Sequence, residues 1–420
     1  MKILFLNYMN ASLATMVRSF ELARATSALG HDVVLSYMHP RFRPPAGFGA
    51  RLAAAGTDRL TIRRPESAGA PAGTSAPVRP AAPGTVTEAR PTALGLARQA
   101  VASLRWVPGE RALLREVRPD VVVARPDQVL SFVVSTRLAG VPLVLDTDGP
   151  VEELDHYWGI RSRWFRGCDT WRARRAAALL HISRVCGDLW RAKGIAPDRL
   201  FLCPNGADPL AFRPGTQQER QRTRQALGLA GCRVIGFSGN QRTWHGVGNL
   251  MQAAVTLFRA DAGLRLLVVG AIEDRGALRL DDLPADDVAR RVVFTGPVPY
   301  ADMPRLLDAA DILAMPYPPL ELFHFSPMKM FEALAMGKIL VAPRQGQIGE
   351  ILGPVDSACL YDAHDAGGLG EALRLALARP PGSGRDGRAL LTQAHSWARR
   401  GAVVVEACER ALRARGGAPT

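Results

Sequence analysis

The 420 residues are too many for one ordinary core, and at about 100–200 residues per domain they indicate two globular units. No window approaches the roughly 18–20 uninterrupted apolar residues of a membrane span, and the opening Met-Lys-Ile-Leu-Phe-Leu-Asn is too short for a secretory apolar region, so the expected compartment is the cytoplasm. The formal net charge of +14 lies mostly in residues 1–210, where 28 Lys and Arg face 18 Asp and Glu, against 25 and 21 in residues 211–420; such a field attracts nucleotide phosphates, nucleic acid or an anionic membrane surface alike.

The Arg, Ala, Gly and Pro richness of the first half, with two Lys, also has the look of high-G+C coding, which raises the isoelectric point without functional cause. Six cysteines, scattered without a CxxC or a His-spaced pair, indicate reduced structural thiols and neither a disulfide framework nor a metal site.

Along the chain, the apolar run Met1–Leu6 reads as a strand, Asn7–Leu13 as a loop, Phe20, Leu22, Ala23 and Leu29 as a helical pattern stopped by Gly30, and Val33–Leu35 as a second strand. Residues 64–92 are rich in Pro, Ala and Gly with almost no large apolar side chains, and are expected to form a flexible loop. Strand-like runs at Val121–Ala124, Leu143–Asp146, Leu179–Ile182 and Leu200–Cys203 alternate with helical stretches, as a parallel sheet with helices on both faces requires. A second series then runs through Arg233–Ser238, Leu264–Gly270, Val292–Gly296, Ile312–Pro316 and Ile339–Ala342. The fold class is therefore α/β with two doubly wound domains, residues 1–207 and 208–395, followed by a helix and tail over 396–420 whose apolar stripe is Trp397, Val404, Cys408 and Leu412.

The strongest local signal is Phe325-Ser326-Pro327-Met328-Lys329-Met330-Phe331-Glu332-Ala333-Leu334-Ala335-Met336-Gly337. Ser326 suits an N-cap, Pro327 the first helical position and Gly337 the stop. Free NH groups over Ser326–Lys329, the positive end of the dipole and the Lys329 charge make an anion site; Glu332, three residues on, shares its face. Such a set suits a diphosphate with its ribose, although a capped surface helix with a Lys/Glu pair has the same sequence. The turn Gly236-Phe237-Ser238-Gly239-Asn240-Gln241-Arg242-Thr243-Trp244-His245-Gly246 offers backbone NH groups to phosphate, and Arg242 can clamp a diphosphate. In the first half, Asp146-Thr147-Asp148-Gly149 ends a strand, where Asp148 either meets a ligand or caps the next segment. The basic and aromatic run Arg161–Arg175 reads first as a solvated helix with an apolar stripe and second as a membrane or acceptor surface.

Taken in order, Ser183 with Asp188, Pro204-Asn205-Gly206-Ala207-Asp208, Trp244-His245-Gly246, Val268-Val269-Gly270, Phe294-Thr295-Gly296-Pro297-Val298 and the Ser-Pro-x-Lys-x-x-Glu helix resemble glycosyltransferase family 4. The resemblance implies the GT-B fold, with two Rossmann-like domains facing a cleft, a final helix crossing back to the first, and a nucleotide sugar held by the second. It implies a retaining reaction that needs no metal or other cofactor. Carried over, Arg242 and Lys329 stabilise the leaving diphosphate; Asp148, read from the end of its strand and standing near where the family often has a His, is the third catalytic candidate. Glu332 binds ribose, Pro297 and Val298 lie near the base, and Gly239, Asn240, His245, Ser326, Pro327, Met328 and His324 complete the donor site. His324 stands where the family often has a second Glu, with Glu321 out of register; His245 stands where many members have Lys. The function so implied is transfer of a hexose-type sugar from a UDP- or GDP-linked donor to a small polar acceptor, as in specialised metabolism. Cell-envelope glycosylation, a binding protein that has lost transfer, and epimerisation or hydrolysis of a nucleotide sugar are the alternatives. Nucleic acid is not an expected partner, and membrane contact is the less favoured one.

Overall fold

The computed structural model describes residues 1–8, 13–38, 58–63, 92–126, 129–147, 149, 151–160, 162–240, 243–272, 290–380 and 382–416. Among them are thirteen strands in two parallel sheets and two compact units. The expected loop over 64–92, apart from Thr92, and most of the Asn7–Leu13 turn lie outside the described residues.

The first unit holds the described residues up to Asn205 together with those from Trp397 on. Its sheet runs β3 (Leu60–Arg63), β2 (Asp32–Tyr37), β1 (Lys2–Asn7), β4 (Val121–Arg125), β5 (Leu143–Thr147), β6 (Ala178–His181), β7 (Leu200–Leu202), every pair parallel. The order reverses between β1 and β4, the switch point of a Rossmann sheet. Both faces are covered, so β4 and β5 are buried at all five positions each, with apolar runs Val121–Ala124 and Leu143–Leu145 before their polar ends. The C-terminal helix, Trp397–Gly416, lies in this unit: Val404, Ala407, Cys408 and Ala411 are buried, and it packs on the first helix, Leu13–Ala28, and on β4 to β7. Gly401 makes that approach close, since a Cβ there would come within 2.8 Å of Ala25.

The second unit, Gly206–Ser396, has the order β10 (Val292–Gly296), β9 (Leu264–Val269), β8 (Arg233–Ser238), β11 (Ile312–Ala314), β12 (Ile339–Pro343), β13 (Ala358–Tyr361), again all parallel. The reversal falls between β8 and β11. Its core gathers Ile235, Phe237, Leu250, Leu266, Val268 and Val341. The two expected series of strands are thus present. Two edge strands, β3 and β13, have no counterpart in the sequence reading: each is four residues long, β3 is buried only at Leu60, and the alternating burial of β13 falls on four apolar residues that carry no polar alternation.

Candidate functional site

In the second unit the candidate residues gather where β8 and β11 diverge. Beyond β8 the chain turns at Gly239 (φ 144°), whose NH donates to the Val269 carbonyl at 2.9 Å. Beyond β9 it turns at Gly270 (φ 129°), where a Cβ would stand 1.9 Å from the Gly239 carbonyl oxygen. The two turns meet backbone to backbone, which only glycine allows. Gly246 (φ 64°) precedes the helix Val247–Ala260, and a Cβ there would stand 1.8 Å from the Pro316 carbonyl oxygen, so the loop after β8 lies directly on the loop after β11.

That second loop is aromatic and held in place. Tyr317 packs edge-on to Phe323 and to His245, with centroids 5.4 and 5.8 Å apart, and the His324 ring lies tilted against that of Phe325, with centroids 4.3 Å apart. Gln345 accepts from the Leu320 NH and donates to the Pro318 carbonyl, while Gly346 leaves room for Phe323. His245 Nδ1 lies 3.0 Å from the Asn240 carbonyl oxygen.

The helix Met328–Ala335 begins one residue later than its sequence suggests. Pro327 is the N-cap, with ψ 114°, and makes no side-chain cap bond; Gly337, at φ 61°, follows its end as expected. An extended ψ at Pro327 keeps it out of the first turn and leaves the first free NH groups at Met328 and Lys329. Lys329 Nζ is buried without a hydrogen-bond partner among the described residues, although part of its stem is accessible. It lies 4.8 Å from the Phe237 ring centroid and 5.2 Å from that of Tyr317, and 3.0 Å from where a Gly239 Cβ would be. Loss of hydration pulls its pKa down to about 7 against the opposing pull of the Glu332 carboxylate. Glu332 is buried and accepts from the Tyr300 hydroxyl at 2.8 Å; Tyr300 itself rests on Phe212. Tyr300, Tyr317, Gln345 and Gly346 were not signalled by any motif; only the apolar, Pro-flanked setting of the two tyrosines sets them apart in the sequence.

The second unit therefore brings Gly239, Asn240, His245, Ser326, Pro327, Met328, Lys329 and Glu332 to the carboxyl edge of its sheet, with Pro297 and Val298 just past β10 and His324 buried in the aromatic loop. Glu321 is exposed. Arg242 and Asp148 lie outside the described residues. What the arrangement offers is a dehydrated lysine amine beside the first NH groups of a helix, with a carboxylate one turn on: a site for an anion carrying a hydroxylated group.

At the carboxyl edge of the first sheet sits a buried charge network absent from the sequence reading. Arg18, 1% exposed, donates through Nη2 to Asp146 Oδ1 at 2.6 Å and to the Cys203 carbonyl at 2.9 Å, and through Nη1 to Asn205 Oδ1 at 3.1 Å. Arg125 donates to Asp146 Oδ2 at 2.8 Å. Burial alone would raise the Asp146 pKa, but the two guanidinium groups outweigh it and hold the carboxyl below the usual range. The helix Arg163–Arg175 buries Phe165, Asp169, Arg172 and Ala173, so its inward face is half ionic, Arg172 pairing with Asp169 at 3.0 Å. Among the described residues no helix is long and apolar enough to cross a membrane.

The family described as Glycosyltransferase Family 4 matches residues 17–209, and that described as Glycosyl transferases group 1 matches residues 232–379. A D-inositol 3-phosphate glycosyltransferase of Corynebacterium urealyticum is 32% identical over 182 residues, 42% of each chain, and one of Acidothermus cellulolyticus is 31% identical over 194 residues, 43% of this chain and 42% of that one. The chain thus matches less than half the length of these relatives. Among solved structures, the Anabaena protein HepE in complex with UDP-glucose superposes with a TM-score of 0.68 at 17% identity, over 96% of this chain and 98% of that one. Sucrose-phosphate synthase from Thermosynechococcus elongatus does so with a TM-score of 0.72 at 15% identity, over 98% and 99%. At such identities the likeness is one of fold.

Proposed function

Since the chain belongs to glycosyltransferase family 4 and has the GT-B fold, we propose that it transfers a hexose-type sugar from a UDP-linked donor to a hydroxyl of a small polar acceptor, with retention of configuration. The observation that carries this reading is Lys329, whose buried Nζ has no hydrogen-bond partner among the described residues, next to the backbone of Gly239 and one helical turn before Glu332. A diphosphate supplies the missing counter-charge, and the ribose hydroxyls suit the Glu332 carboxylate. In the reaction the bond between the anomeric carbon and the diphosphate oxygen breaks, and the electron pair leaves on the diphosphate. The acceptor oxygen bonds to the same face and its proton passes to the departing phosphate. Charge grows on the diphosphate as the bond breaks, so Lys329, and Arg242 as the second clamp, stabilise the transition state more than the ground state. Asp148 is assigned to the acceptor side. UDP is favoured over GDP because HepE is known with UDP and UDP-glucose, and the names of the relatives make inositol 3-phosphate the first acceptor to offer.

Thermal-shift and calorimetric titration with UDP, GDP, ADP and TDP, followed by a product assay with UDP-glucose and inositol 3-phosphate, tests the reading. UDP is expected to stabilise the protein by mass action. Lys329→Ala and Arg242→Ala are each expected to lower turnover at least about tenfold, or roughly 1.4 kcal/mol of transition-state stabilisation. Failure of every nucleotide to bind would leave a family member that keeps the fold without the chemistry.

A further inference from the structure

The first unit has a concavity at the edge of its sheet opposite the carboxyl ends. It is a cavity of about 410 Å³ lined in part by Val141 and Ala411, and it carries four arginines, Arg137, Arg174, Arg175 and Arg415, with no Asp or Glu in its wall. Its floor lies where β5 and β6 begin, next to Leu143 and Ala177. The arginines come from the last turns of three helices, Ser131–Ala139, Arg163–Arg175 and Trp397–Gly416, which end around one space.

Cations in last turns have a plain structural use, since each helix end carries about half a negative charge. Three such ends offset only part of four full positive charges, and none of the four guanidinium groups is in an ion pair with a described residue. Arg175 is moreover fixed by stacking at 4.4 Å over Trp171, so its fork is partly ordered in advance. Four exposed arginines without an ion partner among the described residues, all lining one concave space of this size, match a compact molecule bearing several phosphoryl oxygens, because guanidinium groups bind phosphate in bidentate fashion.

We propose that this pocket is a binding site for a small polyanion with two or more phosphoryl groups, separate from the Lys329 site and independent of what the latter binds. Because the arginines belong to three helices, an occupant ties the end of the C-terminal helix to the body of the first unit.

Tripolyphosphate is the probe, titrated calorimetrically into the full chain carrying Lys329→Ala, which removes the buried lysine of the second unit's anion site. The expected result is one tripolyphosphate per chain, with affinity at least about tenfold weaker when Arg137→Gln and Arg415→Gln are added, and slower hydrogen exchange over 411–415 on binding. Arg174→Gln with Arg175→Gln should weaken it likewise, which guards against one pair simply misfolding. No binding to the Lys329→Ala protein, or affinity unchanged by both arginine pairs, overturns the proposal. So does arginine-dependent sedimentation with phosphatidylglycerol vesicles in the absence of tripolyphosphate binding, which would assign the cluster to a lipid surface.

Discussion

Lys329 carries a consequence that can be measured apart from turnover. Its pKa near 7 follows from lost hydration, and a bound diphosphate restores a charge partner, so the group should take up a proton when nucleotide binds. At pH 8 an uptake of a large part of one proton is expected, read from UDP titrations in two buffers of different ionisation enthalpy. Lys329→Gln should remove it, and uptake that persisted in that variant would place the proton elsewhere. The sign for stability is fixed by the same shift. A lysine whose folded pKa lies below its unfolded value binds fewer protons when folded, so its presence costs stability at neutral pH, and stability rises with pH from about 7 to about 10.4. In the first unit, Arg18 shows the opposite economy of charge. With Asp146 and Arg18 both buried and joined at 2.6 Å, Arg18→Met is expected to lower unfolding free energy by about 3–5 kcal/mol, because Asp146 loses its main counter-charge. Denaturant midpoints at constant slope would measure it.

At the scale of elements, the site depends on three turns that touch. Gly239, Gly246 and Gly270 are placed by contacts between loops that follow different strands, which explains why the sequence marks them as glycine-rich without saying which glycine matters. Gly270→Ala should cost at least about 2 kcal/mol, from strain at its φ and from overlap with the Gly239 carbonyl. The loss should appear as faster hydrogen exchange in β8 and β9, while wild-type exchange there would mean that the turns part easily. The helix Met328–Ala335 was legible because its cues are local: Pro at the entrance, Gly at the exit, Lys and Glu three apart. Its true N-cap, Pro327 in place of Ser326, was not, because the choice is made by one backbone dihedral. Tyr300 bonding Glu332 and Gln345 bracing Pro318 were equally hidden, each being a contact between segments 27 or more residues apart. The buried strands were readable as apolar runs; edge strands β3 and β13, short and half covered, were not.

At the scale of the molecule, the chain writes the Rossmann order twice, and repetition of strand and helix patterning made the fold class readable where single motifs were weak. What periodicity could not give was the destination of the last helix, which only the family resemblance suggested. An amphipathic stripe fixes that a face is covered, not by what. Here Trp397–Gly416 returns to the unit that contains the N-terminus, with Gly401 against Ala25 and with Val404 and Cys408 buried. An element made after the whole second unit is therefore part of the core that the first elements began, and the first unit lacks one of its layers until that helix arrives. Ending the chain at Ser396 should accordingly expose Leu13–Ala28 and raise hydrogen exchange in that helix and in β4 to β6. Strands β8 to β13, which belong to the second unit, should keep their protection. Equal loss in both sheets would show instead that the second unit leans on the helix as well, and unchanged exchange in Leu13–Ala28 would show that the first unit closes its core without it.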